Sequence, residues 1–382
     1  MLKTIPQYLS AISDTYGLTK TIGVIDICTK SNGSPDFRVG NNSIIFHIRH
    51  HGVEKMLKCY TRKKQNLRRI YGEKCLREEL YIHSDSLHGE WVDVILDDWI
   101  EGETLQNVII KNRGNPATIK SLAEKFDSLA VALLAENWAH GDLKPENIIV
   151  TPSGELHLID FDAVFLPEFT GERSEEIGTA SFQHPMRDTE YFDKSIDDYP
   201  IALISTALHA LALDPSLAER HEIEERLLFH PNELIKGCQA LEEVIELFAI
   251  NGDVLHYHIA RLLKSLTPRL FRLKEFLTYA TRREGYQAGH STEIPEIDYD
   301  KGLCGYRLGE KFVIPPLYNN GFDFSEGLAA VCIGRHWHYI DLQGNIVLRC
   351  PQYEAVKPFH NGVAVVVENG TRKFINRKGE II

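Results

Sequence analysis

The run Ala139-His140-Gly141-Asp142-Leu143-Lys144-Pro145-Glu146-Asn147-Ile148-Ile149-Val150, followed by Leu158-Ile159-Asp160-Phe161-Asp162, constrains this chain more than any other stretch. Asn147 stands five positions after Asp142, and Asp160 thirteen positions after Asn147. Between them lie Ile148-Ile149-Val150, the turn Thr151-Pro152-Ser153-Gly154 and Leu156-His157-Leu158-Ile159. Two β-like runs around a Pro/Gly turn predict a short hairpin that brings Asn147 and Asp160 together. The set then offers one candidate proton acceptor, Asp142, and two oxygen ligands of the kind Mg2+ takes. Singly these would be a solvated Asp, an Asn in a turn and an Asp at a strand end; their joint spacing sets them apart.

The pattern resembles the catalytic and metal-binding loops of the protein kinase superfamily, whose signature reads H-R-D-L-x-x-x-N and then D-F-G. The resemblance implies an α+β chain with a bilobal protein-kinase-like fold that uses ATP and Mg2+. Asp142 would then position the attacking hydroxyl as base, and Asn147 and Asp160 would hold the metal. Lys144, in a Lys-Pro-Glu-Asn run like that of serine/threonine kinases, would steady the transferred phosphate. Lys58 ends Met56-Leu57-Lys58 and resembles the V-A-I-K lysine that holds the α- and β-phosphates. Its partner would be a helix glutamate. Arg77-Glu78-Glu79-Leu80-Tyr81-Ile82 offers two, and the apolar phase favours Glu79 over Glu78. Residues 96–105 resemble the hinge, with backbone at Asp98 and Ile100 meeting adenine and Ile149 as the floor beneath it. Gly40, in Arg38-Val39-Gly40-Asn41-Asn42-Ser43, stands where a glycine-rich loop would cover the phosphates. Residues 178–185 resemble the end of an activation segment, with Thr179 contacting the catalytic Asp. Asp197-Asp198-Tyr199 looks like the opening of a buried helix, and Asp198 is the favoured anchor for the catalytic loop.

The departures carry information. No G-x-G-x-x-G precedes Lys58, and Asp162 replaces the Gly of D-F-G. Gly141 replaces the Arg of H-R-D, which implies activity that does not need activation-loop phosphorylation. His-Gly-Asp also occurs in small-molecule kinases. The leading reading is phosphotransfer to serine/threonine hydroxyls of an unidentified protein substrate. A small-molecule kinase and a pseudokinase scaffold remain as alternatives.

Hydropathy and composition divide the chain as follows. Residues 1–35 form a weakly patterned N-terminal segment, and 36–105 a kinase-like small lobe and hinge. The small lobe reads as strands, one charged helix running to about residue 86, and a strand at 91–96. Residues 106–285 read as a helical large lobe, 286–300 as a linker and 301–382 as a small β-rich domain. Within the last, Tyr318, Phe324, Gly327 and Ala329 recur 35 residues later as Tyr353, Phe359, Gly362 and Ala364. Gly309 recurs as Gly344 and Gly379, and Ile340-Asp341 as Ile375-Asn376. These residues resemble the WG repeat, a short β-rich unit of bacterial proteins. One such unit cannot bury its own apolar face, so neighbours must cover it. The repeats would serve either as a cap on the large lobe or as a module that binds a protein partner.

A formal charge of −12 argues against nucleic acid as the main partner. No apolar run is long enough for a membrane span. Residues 1–6 lack a signal-peptide core, so a cytoplasmic protein is expected. The seven cysteines show no C-x-x-C pair and read as packed, reduced thiols rather than a disulfide framework or a zinc site. His47, His50, His51, His256, His258, His336 and His338 read as surface or core residues rather than metal ligands.

Overall fold

The computed structural model describes residues 3–40, 42–83, 89–224, 226–281 and 294–382. The chain divides into two compact units, Met1–Gly102 with Thr151–Ser153, and Glu103–Val150 with Gly154–Ile382. Helices and sheets are mixed, and the C-terminal region is rich in strands.

The first unit is built on an antiparallel sheet of β1 (Asp26–Ile27), β2 (Phe37–Val39), β3 (Ser43–His50), β4 (Val53–Tyr60), β5 (Cys75–Ile82) and β6 (Glu90–Asp98). Its strand order is β1-β3-β4-β6-β5, with β2 also paired to β3. Ile44, Phe46 and Ile48 alternate along β3 and are fully buried, as a pleated strand with one core face requires. Covering them is helix α1 (Ile5–Ser13), which buries Tyr8, Ala11 and Ile12 at helical spacing. Gln7 Oε1 accepts the Thr4 N–H at 2.9 Å and satisfies the helix entry. From the N-terminal segment, Tyr8, Ala11, Ile12, Ile22 and Ile25 therefore enter this unit's core.

The charged helix expected up to residue 86 is a correction. Helix α2 covers only Leu67–Tyr71, a 3-10 turn follows at Gly72–Lys74, and Cys75–Ile82 is strand β5. Residues 84–86 lie outside the described residues. The β5–β6 register shifts between Leu76 and Leu80, where Glu78 adopts φ 47°, so a bulge interrupts the strand's alternation.

In the second unit, β7 (Glu103–Thr104) pairs with β8 (Ile148–Val150), which pairs with β9 (Leu156–Leu158). The helices are α3 (Leu105–Asn112), α4 (Pro116–Ala135), α5 (Asp198–Leu213), α6 (Leu217–Arg220), α7 (Pro231–Lys236), α8 (Gln239–Asn251), α9 (Val254–Leu262) and α10 (Leu273–Thr281). Asn115 caps α4 through a 3.2 Å bond from Thr118 N–H, with Pro116 opening the helix. Helix α4 buries Leu122, Phe126 and Ala130 against the almost wholly buried α5.

Ten strands follow: β10 (Glu296–Asp300), β11 (Leu303–Leu308), β12 (Lys311–Tyr318), β13 (Asn320–Gly321), β14 (Ala329–Ile333), β15 (His336–Ile340), β16 (Ile346–Cys350), β17 (Ala355–Val356), β18 (Val363–Glu368) and β19 (Thr371–Asn376). They form three antiparallel sheets, β10-β11-β12, β13-β14-β15-β16 and β17-β18-β19. The expected linker at 286–300 shrinks accordingly: 294–300 are described and contain β10, while 286–293 lie outside the described residues.

The 35-residue repeat is physical. Phe324 and Phe359, 35 residues apart, each pack tilted against a tyrosine: Tyr306 at 4.7 Å, which donates to Phe322 O, and Tyr339 at 4.8 Å, which donates to Lys357 O. Glycines 309, 344 and 379 all take positive φ, the turn geometry that makes them recur. The first sheets share one core with the helices: Tyr306, Ile314, Leu317, Val331 and Ile333 belong with Val244, Phe248 and Ile259. Polar bonds fix this contact. His258 donates to Leu317 O at 2.6 Å, His338 to Ala249 O at 2.8 Å, and Arg349 to Asn251 O at 2.7 Å. Glu246 takes both Arg335 and His336 at 2.7 Å. Among the described residues no helix is long and apolar enough to cross a membrane.

Candidate functional site

The 148–158 hairpin forms as its sequence predicts, with Ile148 opposite Leu158 and Val150 opposite Leu156. Just outside it, Ile159 N–H donates to Asn147 O at 2.9 Å, so the chain entering Asp160 is tied to the chain leaving Asn147. Asp160 sits at φ 67°, a left-handed conformation uncommon for a residue with a Cβ. Phe161 packs on the His140 and Trp138 rings. Ile149 is buried within β8.

The 139–147 loop gathers polar groups around Asp142. Asp142 Oδ1 accepts Thr179 N–H at 2.6 Å, and Oδ2 lies 3.3 Å from Lys144 Nζ and 3.2 Å from Asn147 Nδ2. Lys144 Nζ also donates to Thr179 Oγ1 at 2.7 Å, and Asn147 Nδ2 to Asp142 O at 2.8 Å. The carboxylate is thus oriented from three sides while Lys144 and Asp142 stay partly accessible. Asn147 spends its amide nitrogen on Asp142, and its Oδ1 is the acceptor end of the same amide.

A buried carboxylate holds the loop from behind, and it is Asp197 rather than the expected Asp198. Asp197 accepts the N–H groups of His140 and Gly141, the latter at 2.9 Å. Burial pushes its carboxyl above the ordinary range, against the opposing pull of His140, the two N–H groups and Arg187. Asp198 instead accepts Leu270 N–H at 2.9 Å, and burial raises its carboxyl to about 7. Two further residues were not read from the sequence as site residues. Arg187 Nη1 donates to Gly141 O at 2.8 Å and also to Gln183 Oε1. Nothing singles them out in the polar stretch Gln183-His184-Pro185-Met186-Arg187-Asp188-Thr189-Glu190.

Gly141 explains itself locally. It takes φ 81°, and a Cβ there would lie 2.0 Å from Ala163 O. Gly141→Ala is expected to cost about 2–4 kcal/mol from left-handed strain plus overpacking, read as a lower urea midpoint.

The candidate residues of the first unit are arranged differently. Lys58 is buried in β4, its Nζ 5.4 Å from the Tyr60 ring and 5.9 Å from the Tyr71 ring. Glu79 is a strand residue, which corrects its expected place on a helix. Its carboxylate accepts Lys20 N–H at 3.0 Å, Thr21 N–H at 2.7 Å, Thr21 Oγ1 at 2.6 Å and Ile22 N–H at 2.8 Å. Four donors commit Glu79 to pinning the N-terminal segment. Glu78 is exposed and pairs with Lys20. Asp98 ends β6 and pairs with Lys55, and Ile100 lies just beyond it. Gly40 N–H donates to Ser43 O at 2.8 Å in the β2–β3 turn, whose Asn41 lies outside the described residues.

A second polar group lies deep in the helices. Asp127 Oδ2 accepts His209 Nε2 at 2.9 Å and His256 Nε2 at 3.2 Å, Oδ1 accepts Ser205 Oγ at 2.7 Å, and Asp253 takes the other nitrogen of His256 at 2.8 Å. Burial disfavours the Asp127 charge, yet the two histidines outweigh it and hold the carboxyl below its usual range. Burial likewise opposes the His256 charge, and Asp253 and Asp127 overcome it to raise this imidazole to about 10. The network ties α4, α5 and α9 together as a satisfied ionic set.

No curated protein matches the sequence. Residues 307–337 and 337–371 match the family described as WG containing repeat, which is where the paired Tyr–Phe stacks and the turn glycines recur.

Proposed function

We propose that this chain transfers the γ-phosphoryl group of ATP to serine or threonine hydroxyls of a protein. The observation that carries this reading is the oriented Asp142, held by Thr179, Asn147 and Lys144 on a loop anchored by Asp197. Phosphoryl transfer depends mainly on positioning and charge neutralisation, and this loop offers both. Asp142 would align the acceptor hydroxyl and take its proton. Lys144 would steady the transferred group. The Asn147 carbonyl and the Asp160 carboxylate are hard oxygen donors that suit Mg2+, which supplies neutralisation of phosphate charge. Lys58, Gly40 and the backbone of Asp98 and Ile100 belong to ATP in the same proposal. Glu79 does not serve as the lysine's partner, because its carboxylate is filled by the 20–22 segment.

That commitment of Glu79 also favours a second reading, a pseudokinase scaffold that binds partners through residues 301–382. Incubation with Mg2+, γ-labelled ATP and generic protein substrates separates the two. On the first reading label moves to protein, and Asp142→Asn and Asp160→Ala each lower transfer roughly 10²–10⁴-fold. Label in a small molecule alone would shift the substrate class. Absence of both transfer and ATP binding in the parent would overturn the proposal and leave the scaffold.

A further inference from the structure

Residues 28–36 leave the β sheet and return to it beside one histidine. Strands β1 and β2 occupy successive stretches of the same side of β3, and His47 lies between them. Cys28 N–H donates to His47 O, His47 N–H to Asp36 O, and Asp36 N–H to Cys28 O, at 2.8–3.0 Å. Both feet of the excursion therefore flank His47. On its other side β4 places Glu54 diagonally, since Arg49 pairs with Glu54 and His47 with Met56.

The side chains converge on one nitrogen. His47 Nδ1 is 3.1 Å from Asp36 Oδ2, and the ring is stacked on Trp99 at 3.9 Å with a 5° tilt. A proton on Nδ1 directed at Asp36 leaves Nε2 as a lone-pair donor. Nε2 is buried and makes no hydrogen bond, although Glu54 Oε2 lies only 3.3 Å away. An imidazole lone pair and a carboxylate oxygen this close repel unless a proton or a metal cation lies between them. Cys28 Sγ completes the group, and the three ligand atoms all lie within 4.8 Å of one another. Tetrahedral zinc, with bonds of about 2.0–2.3 Å to N, O and S, needs ligand separations of roughly 3.3–3.8 Å. The nearby cations are Arg49, 3.4 Å from Glu54 Oε1, and Arg38, 5.4 Å from the centre of the Trp99 ring.

We propose that Cys28 Sγ, His47 Nε2 and Glu54 bind a zinc ion, with Asp36 orienting His47 from behind and a fourth position open to water. On binding, the Cys28 thiol gives its proton to solvent and the thiolate sulfur bonds the metal. Thiolate, imidazole and carboxylate together suit zinc rather than Mg2+ or Ca2+. The ion staples the base of the 28–36 excursion to β3 and β4, the latter carrying Lys58. The Asp127, His209 and His256 group differs: both of its imidazoles already donate to one carboxylate oxygen, and their rings stack at 3.5 Å, too close to fan out around an ion.

The test uses the full chain, stripped with a chelator and titrated with Zn2+ against a chromophoric competitor, then reloaded with Co2+. One equivalent of zinc, a rise in thermal midpoint on binding and a thiolate-to-cobalt charge-transfer band are expected. Cys28→Ser should remove that band. His47→Gln and the surface change Glu54→Gln should each weaken zinc binding at least about tenfold, while His209→Gln leaves it unchanged. Far-ultraviolet circular dichroism checks that each variant is folded. Failure of the parent to bind one equivalent, or a cobalt band that survives Cys28→Ser, overturns the site. So does zinc affinity that is equal in folded His47→Gln and parent.

Discussion

Replacing Asp197 with Ala is expected to lower unfolding free energy by roughly 3–5 kcal/mol, the cost of stripping the partner from a buried charged network. Asp197 accepts two backbone N–H groups, from His140 and Gly141, and it faces the buried Arg187 guanidinium. Its loss leaves two interior donors unpaired and takes one of the carboxylates that balance Arg187, Asp142 being the other. Asp198→Ala removes only the bond from Leu270 N–H, so its cost should be about 1–2 kcal/mol. Urea midpoints of the two variants, compared side by side, decide which carboxylate anchors the loop. A larger loss for Asp198→Ala would reverse the assignment.

The second large effect is a dependence on acid. His258 and His338 are buried neutral, each donating one N–H to a carbonyl across the contact between helices and strands. Burial lowers both imidazoles from 6.5 to about 4, and His338 Nδ1 has no partner at all. Below pH 6.5 the unfolded chain takes up protons that the folded chain refuses. Their contribution is therefore intact above pH 6.5 and is lost as pH falls from 6.5 towards 4, on the order of 2–3 kcal/mol apiece. Asp198 works the other way: raised to about 7, it favours the folded state as pH falls through that value. The clean measurement is a difference. Stability of the parent minus that of His258→Gln/His338→Gln, which keeps an N–H donor at both places, should fall steeply between pH 6.5 and 4. A flat difference would sink this account.

What was legible depended on how local its cause was. The 148–158 hairpin is encoded by a turn and two short runs, and it formed where the spacing placed it. The repeat was legible because Phe324 and Phe359, and the turn glycines 309, 344 and 379, recur 35 residues apart. Strand β5 was read as a helix because its bulge puts buried Glu79 beside buried Leu80 and so breaks a two-residue alternation. The cause is remote: the backbone of Lys20, Thr21 and Ile22 fills the Glu79 carboxylate. Asp197 and Asp198 are neighbours of one chemistry, and only the position of His140 and Gly141 distinguishes them. Tyr8, Ala11 and Ile12 do carry helical spacing, but too few turns of it to stand out beside the sheet they cover.

The approach of Ala163 O to Gly141 also bears on descent. The kinase pattern that this loop resembles has arginine at that position. With the Ala163 carbonyl where a Cβ would sit, any side chain at 141 is strained unless the backbone gives way. A lineage with this backbone would first have to retract the chain at 163, itself bonded to its neighbours through Ala139 and Phe165. A side chain at 141 free of that strain therefore takes a paired change, at 141 and at 163.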